Sequence, residues 1–223
     1  MGIYTYAFLR HSPEPLDLPT GISGSLHLIT VNQICALVEP ELEFEALQQN
    51  DSQLLQAVIA HDRVLQEVFQ QVDILPLRFG TQFVSEKGLL QHLTSNYLTY
   101  LDKFAQLKGQ AEYVLKFIPT DKDEPDISPE IKGKDYFLAK KQRYQSQLEQ
   151  QNQRQKELDD VKAAIAQFYI DTLYESKDGV ERIYLLADRT HEAALQGQIQ
   201  QWQALCTHWS ISLGNALPPY HFV

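Results

Sequence analysis

The feature that most confines this chain is a run of nine polar residues, Glu149-Gln150-Gln151-Asn152-Gln153-Arg154-Gln155-Lys156-Glu157, inside a stretch of helical periodicity from about residue 133 to 176. Before the run, Phe137, Tyr144 and Leu148 repeat at helical spacing; after it come Leu158, Val161, Ile165, Phe168 and Leu173. A helix section that is polar all round cannot be packed on both sides. It must project into water, break the helix or meet a polar partner. The second half of the chain is therefore expected to hold a long helical region with amphipathic ends, whose polar middle takes one of these three forms.

The rest alternates between short apolar runs and helical stripes. Residues 3–9 are aromatic and branched and read as a buried strand. Pro13, Pro15, Pro19, Gly21 and Gly24 hold the next segment in a loop. Residues 26–31 and 34–38 flank Asn32-Gln33 as a tight hairpin, closed by Glu39-Pro40. Asp51 or Ser52 is the expected cap of a helix of about five turns, with Leu54, Val58, His61, Leu65 and Phe69 on one face. A strand over 75–80 follows, with Leu75, Leu77 and Phe79 on one side and Pro76 and Arg78 on the other. Ser85 caps the next helix, carrying Leu90, Leu93, Tyr97, Leu101 and Phe104. After Lys108-Gly109-Gln110 come a strand over 111–118, an acidic, proline-bearing loop over 119–130, the long helix, a strand over 181–187, a helix capped by Thr190 with Leu195, Ile199, Trp202 and Leu205, and a strand with Trp209, Ile211 and Leu213. This order, β-β-β-α-β-α then β-α-β-α-β, predicts an α+β chain. Two domains are expected, 1–108 and 109–223, each a small, mainly antiparallel sheet with helices packed on it. At least one should be ferredoxin-like, and residues 214–223 form a tail of the second.

Charge and composition narrow the function. A formal net charge of -10 repels phosphate backbones and anionic membrane surfaces, so neither nucleic acid nor membrane is an expected partner. No run of eighteen apolar residues occurs, and no basic segment precedes an apolar core at the N-terminus, so neither a spanning helix nor a secretory leader is expected. Cys35 and Cys206 match no metal spacing and suit a reducing compartment.

Sites for chemistry are sparse. The seven histidines are scattered, with no HExxH and no paired Cys/His spacing. Asp121 and Asp123 imitate the start of a calcium loop, but Pro125, Asp126 and Lys132 stand where a ligand, the turning glycine and the bidentate glutamate belong. Gly133-Lys134 opens a helix without a phosphate-binding glycine pattern, and no nucleophile elbow exists. The one cluster with chemical potential is His61-Asp62-Arg63 with the 75–81 segment. A buried His61 needs hydrogen-bond partners, and a buried Arg78 would need a carboxylate such as Asp62. Such a group makes either an acid–base or anion site, or a structural network tying helix to strand.

These same residues carry a resemblance. His61-Asp62-Arg63-Val64-Leu65 followed by Leu75-Pro76-Leu77-Arg78-Phe79-Gly80-Thr81 resembles the gas vesicle protein F and L family, and lies nearer its F members. The aromatic first strand, Gly133-Lys134-Asp135-Tyr136-Phe137-Leu138 and the terminal Leu217-Pro218-Pro219-Tyr220-His221-Phe222 agree, over essentially the whole chain. At Gly214-Asn215-Ala216-Leu217 the chain departs from the family, whose tail tends to carry another glycine or proline. The resemblance implies a non-enzymatic accessory component of gas vesicles, without catalytic residues, metal or cofactor. It implies binding to the very hydrophobic major shell protein, gas vesicle protein A, and to other accessory vesicle proteins, help in nucleation, and residence on the vesicle within the cytoplasm, at the inner, gas-facing side of the shell. The motif residues His61, Asp62, Arg63, Leu75, Pro76, Leu77, Arg78, Phe79, Gly80, Gly133, Tyr136, Pro218, Pro219 and Tyr220 then have structural or interaction roles. The rival is a small-molecule-binding or enzymatic ferredoxin-like domain using His61, Asp62 and Arg78.

Overall fold

The computed structural model describes residues 2–120 and 133–223. It is mixed α+β, with two sheets in two units: Met1–Glu112 with Asp188–Thr190 and Ala216–Val223, and Tyr113–Ala187 with His191–Asn215.

The first unit is organised on β1 (Ile3–Arg10), whose residues are buried up to Leu9. A strand apolar on both sides must be covered on both. β2 (His27–Val31) and β3 (Ile34–Glu39) form the expected hairpin, with Asn32 at φ +54° in its turn. α1 (Phe44–Leu47) and α2 (Asp51–Phe69) follow, then β4 (Ile74–Pro76), β5 (Gln82–Phe83), α3 (Glu86–Ser95) and α4 (Tyr97–Gln106). The sheet order is β2-β3-β1-β4, with β5 also paired to β1. The β1–β3 register shifts between Thr5 and Ala7. A one-residue slip changes which face a side chain occupies. Accordingly Tyr4 and Tyr6 both pack on His61 of α2, whereas Phe8 packs on His92 of α3 and Tyr100 of α4.

In the second unit the elements run β6 (Gln110–Pro119), α5 (Lys134–Ala166), β7 (Thr172–Lys177), β8 (Val180–Asp188), α6 (Glu192–Leu205) and β9 (Trp209–Leu213). The strand order is β7-β8-β6-β9, and the elements follow in the succession β–α–β–β–α–β. The 33-residue α5 is about 50 Å long at 1.5 Å per residue. Its buried residues, Glu157, Leu158, Val161 and Ile165, all lie toward its C-terminal end.

Several expectations give way, each for a local reason. The α2 cap is Asn50, not Asp51 or Ser52; its side-chain oxygen accepts from the N–H groups of Ser52 and Gln53. The buried face of α2 is Ala57, His61, Val64, Leu65, Val68 and Phe69, which leaves Val58 exposed and Leu54 only partly covered. The strand expected over 75–80 stops at Pro76, so Arg78 and Phe79 lie in a turn, with no strand alternation. The helix after Ser85 breaks at Asn96, which leaves the helical region at φ −106°, ψ +14°. The long helix ends at Ala166, and Leu173 belongs to β7. Thr190 does not cap α6: it lies in the tight turn Arg189–His191, with its hydroxyl on Asp188. The tail also divides, because Ala216–Val223 group with the first unit.

Candidate functional site

His61 stands at the centre of an aromatic box in the first unit. Its ring stacks on Tyr6 at 5.1 Å and 16°, and meets Tyr4 and Phe79 edge-on. Nε2 lies 3.2 Å from the Leu77 carbonyl, which can only accept, so Nε2 carries the proton. Nδ1, 2.9 Å from the Tyr4 hydroxyl, then accepts from it, and that hydroxyl in turn accepts from the Gly80 N–H. Burial holds His61 below its ordinary value, against the opposing pull of the Leu77 carbonyl and Asp62. The imidazole is a neutral, fully partnered strut between β1, α2 and the 77–80 turn.

Gly80 completes this box at φ +87°, and a Cβ there would press on Phe44 at 3.2 Å. Left-handed backbone costs an L-residue about 1–2 kcal/mol. Gly80→Ala is therefore expected to destabilise the first unit by about 2 kcal/mol, read as a fall in chemical denaturation midpoint without change of slope.

The neighbours of His61 serve as ties. Asp62 accepts from the Tyr220 hydroxyl at 2.5 Å and from the Gln66 amide at 2.7 Å. Tyr220 follows the buried Pro218 and Pro219. His221 donates its N–H at 2.9 Å to the buried Glu112 carboxylate, with its Nδ1 at 2.8 Å, and Leu217 pairs with Glu112 through the backbone. The guanidinium of Arg63 donates to the Thr20 carbonyl at 2.6 Å. Arg78, which if buried would have needed a carboxylate such as Asp62, is exposed, and its guanidinium pairs with no described residue. Its strand ends two residues earlier, so nothing carries it inward. No hydrogen bond joins His61, Asp62 and Arg78, and the rival acid–base constellation does not assemble.

The sequence reading missed a second node beside this one. Glu39, 1% exposed, accepts from Tyr6 Oη at 2.5 Å, from the N–H groups of Ile22, Ser23 and Gly24 at 2.8, 2.8 and 2.5 Å, and from Ser23 Oγ at 3.2 Å. Burial alone would raise its carboxyl; the Tyr6 hydroxyl and the three backbone donors outweigh it and hold it below the usual range. A Cβ at Gly21 would collide with this carboxylate. The clue was Gly21-Ile22-Ser23-Gly24-Ser25, small residues able to fold a nest of N–H groups around an anion.

In the second unit, Glu157 ends the polar run yet is buried. Its carboxylate accepts from the His208 N–H at 2.9 Å and from the Thr207 hydroxyl at 3.2 Å, with His208 Nδ1 at 2.8 Å. Burial opposes the charge, but the His208 N–H and imidazole bring its pKa down to about 2. Trp209 Nε1 donates to the Arg154 carbonyl at 2.9 Å. The polar run thus meets a polar partner at its end. Gly133, at φ +63°, and Tyr136 stand at the start of α5 in the second unit. Along that first half Tyr136, Phe137, Leu138, Tyr144 and Leu148 are all exposed. Phe168, Ile170, Leu173 and Tyr174 are exposed around the start of β7.

Cys35 and Cys206 are free and buried; burial raises both thiols, that of Cys206 to about 11, so neither is a ready nucleophile. Among the described residues no cluster of three or more His, Cys, Asp or Glu could hold a metal, and no helix is long and apolar enough to cross a membrane. The calcium-like segment, with Asp121, Asp123, Pro125, Asp126 and Lys132, lies outside the described residues, as does all of the 119–130 loop beyond Thr120. What the geometry provides is pinning of loops and tail, plus uncovered apolar side chains.

A family model described as gas vesicle synthesis protein GvpL/GvpF matches residues 2–223. The crystal structure of gas vesicle protein GvpF from Microcystis aeruginosa superposes with a TM-score of 0.71 at 17% identity, over 99% of this chain and 98% of that one. That of GvpF from Anabaena sp. PCC7120 gives 0.66 at 16% identity, over 99% and 95%. No curated protein sequence matches the chain.

Proposed function

Since the chain belongs to the gas vesicle synthesis protein GvpL/GvpF family, we propose that it acts without bond chemistry of its own, as a minor component and assembly factor that binds the hydrophobic major shell protein, gas vesicle protein A. Before a shell assembles, the water-shunning face of its subunit drives aggregation. A binder that covers that face, and turns an acidic surface to water, delays aggregation until the subunit is handed to the growing shell. Other accessory vesicle proteins are further partners on this reading. Labelling that appears only on collapsed vesicles would mark the gas-facing side as its location.

The observation that carries the proposal is the edge of the second sheet. β7 is outermost and pairs only with β8 among the described residues. Its free edge offers backbone donors and acceptors to an added strand. Beside it Phe168 and Ile170 stand 59% and 95% exposed, and Leu173 and Tyr174 lie on the strand itself. A backbone edge lined with apolar side chains suits an extended, apolar client. Ile170→Asp with Phe168→Ser should weaken capture of purified shell protein by the full chain about tenfold or more, and lose suppression of its light scattering, while the far-ultraviolet spectrum stays unchanged. Undiminished capture by that variant would count against this edge, and no capture by the parent chain against the shell protein as client.

A further inference from the structure

The first half of α5 carries a row of apolar side chains that the described residues leave exposed. At 100° per residue, Phe137, Tyr144 and Leu148 fall within about 40° of one another, while the buried Leu158, Val161 and Ile165 centre about 90° away. The exposed row is thus not an extension of the core face. With Lys141 it follows the alternating four–three spacing of a coiled-coil seam: Phe137, Lys141, Tyr144, Leu148. Lys140 and Lys141 stand about 60° and 40° to either side of Phe137. Residues 134–148 carry Lys134, Lys140, Lys141 and Arg143 against Asp135 alone, a net of +3 in a chain of net -10.

From this arrangement we infer that the Phe137–Lys141–Tyr144–Leu148 seam docks one amphipathic helix of a partner protein, a helix with carboxylates along its apolar row. Apolar side chains on a soluble helix supply the area, and the lysines set which helix fits. A second copy is a poor occupant: two such faces bring +3 against +3, and a parallel pairing sets Lys141 opposite Lys141. An anionic bilayer is poor as well, because the remainder of the chain is strongly acidic and repels it. The seam shares no residue with the β7 edge, so either surface can fail its own test while the other stands.

The test uses the full chain and two labelled model helices of about three heptads, both with leucine at the seam positions, one flanked by glutamates and the other by lysines. Fluorescence anisotropy should show the glutamate helix bound and the lysine helix at least about tenfold weaker, with the difference shrinking in salt. Phe137→Ser with Leu148→Ser should weaken the glutamate helix about tenfold or more. Lys140→Glu with Lys141→Glu should invert the preference. All four positions are exposed, and unchanged tryptophan fluorescence verifies that the variants are folded. Equal binding of the two helices, binding of neither, or a preference indifferent to the lysine substitutions overturns the inference. So does concentration-dependent dimerisation, or binding to phosphatidylserine vesicles, that disappears in the Phe137/Leu148 variant, since each assigns the seam to another occupant.

Discussion

Thermal melts of a Glu39→Ala variant are expected to fall about 10–15 °C below those of the parent chain, a loss of about 3 kcal/mol from the first unit. The reason lies in what the carboxylate leaves behind. The Tyr6 hydroxyl and the N–H groups of Ile22, Ser23 and Gly24 all point at it. A buried donor without a partner costs about 1–3 kcal/mol. Four such donors would sum to more, but the adjoining cleft of about 350 Å³, lined by Ser23, Gly24, Ser25 and His27, lets water relieve the exposed ones. Tyr6 is fully buried and gains no such relief. Tyr6→Phe removes one donor and keeps the nest, so it should cost only about 1 kcal/mol. If Glu39→Ala melted within a few degrees of the parent, the nest would not be what holds the 20–25 loop.

This node also separates structural burial from chemistry. Glu39 is a buried carboxylate with a perturbed acidity beside a cleft, the pattern by which active-site acids are sought. Its shift is downward, however, and its oxygens are occupied by the chain's own donors. A carboxylate so held neither gives nor takes a proton near neutral pH. His61, neutral and bonded at both nitrogens, is equally committed. The buried titratable groups of this unit spend their bonding capacity on loops, which fits a protein acting through its surface.

What the residues revealed in advance, and what they concealed, follows from the range of the interactions involved. β1, the Asn32 hairpin and the Ser85 cap were legible because each is decided within a few residues. The hairpin at Asp178-Gly179 was equally local: both residues have positive φ, at +54° and +74°, the requirement of a tight two-residue turn. It was passed over because the preceding helical periodicity was carried past Ala166, absorbing Leu173 into a helix it does not join. The partners of Glu39, Asp62, Glu112 and Glu157 are invisible to periodicity. Tyr220 lies 158 residues from Asp62, and His221 lies 109 residues from Glu112. Nothing in a local window connects such pairs. The terminal Pro-Pro-Tyr-His segment was recognised as a motif by resemblance alone, and only its closure onto the first unit gives it a physical task.

Acid should unfold the two units in separate windows, the first unit before the second. His61 in the folded chain is held below its ordinary 6.5, so below that pH the unfolded chain binds a proton that the folded chain refuses. Stability of the first unit is therefore complete above pH 6.5 and falls as the pH drops, by at most about 1.4 kcal/mol per pH unit for one proton. Glu39 adds to the loss below 4.5, where its unfolded carboxyl takes a proton and the folded one still does not. In the second unit the corresponding group is Glu157, whose contribution is intact above 4.5 and disappears as the pH falls toward about 2. The two tryptophans, Trp202 and Trp209, both lie in the second unit, so their fluorescence reports that unit alone. Hydrogen exchange of the β1 and β3 amides reports the first. On acidification, the protection of the β1 and β3 amides, taken relative to the intrinsic exchange rate at each pH, should fall from about pH 6.5 while tryptophan emission holds to about 4.5. His61→Gln, whose amide can donate to the Leu77 carbonyl and accept from Tyr4, should abolish the upper phase and leave the lower one in place. A tryptophan transition that precedes the exchange change, or an upper phase that survives His61→Gln, would show that other groups govern the acid limb. The neutral strut and the nested carboxylate would then not set the acid stability of the first unit.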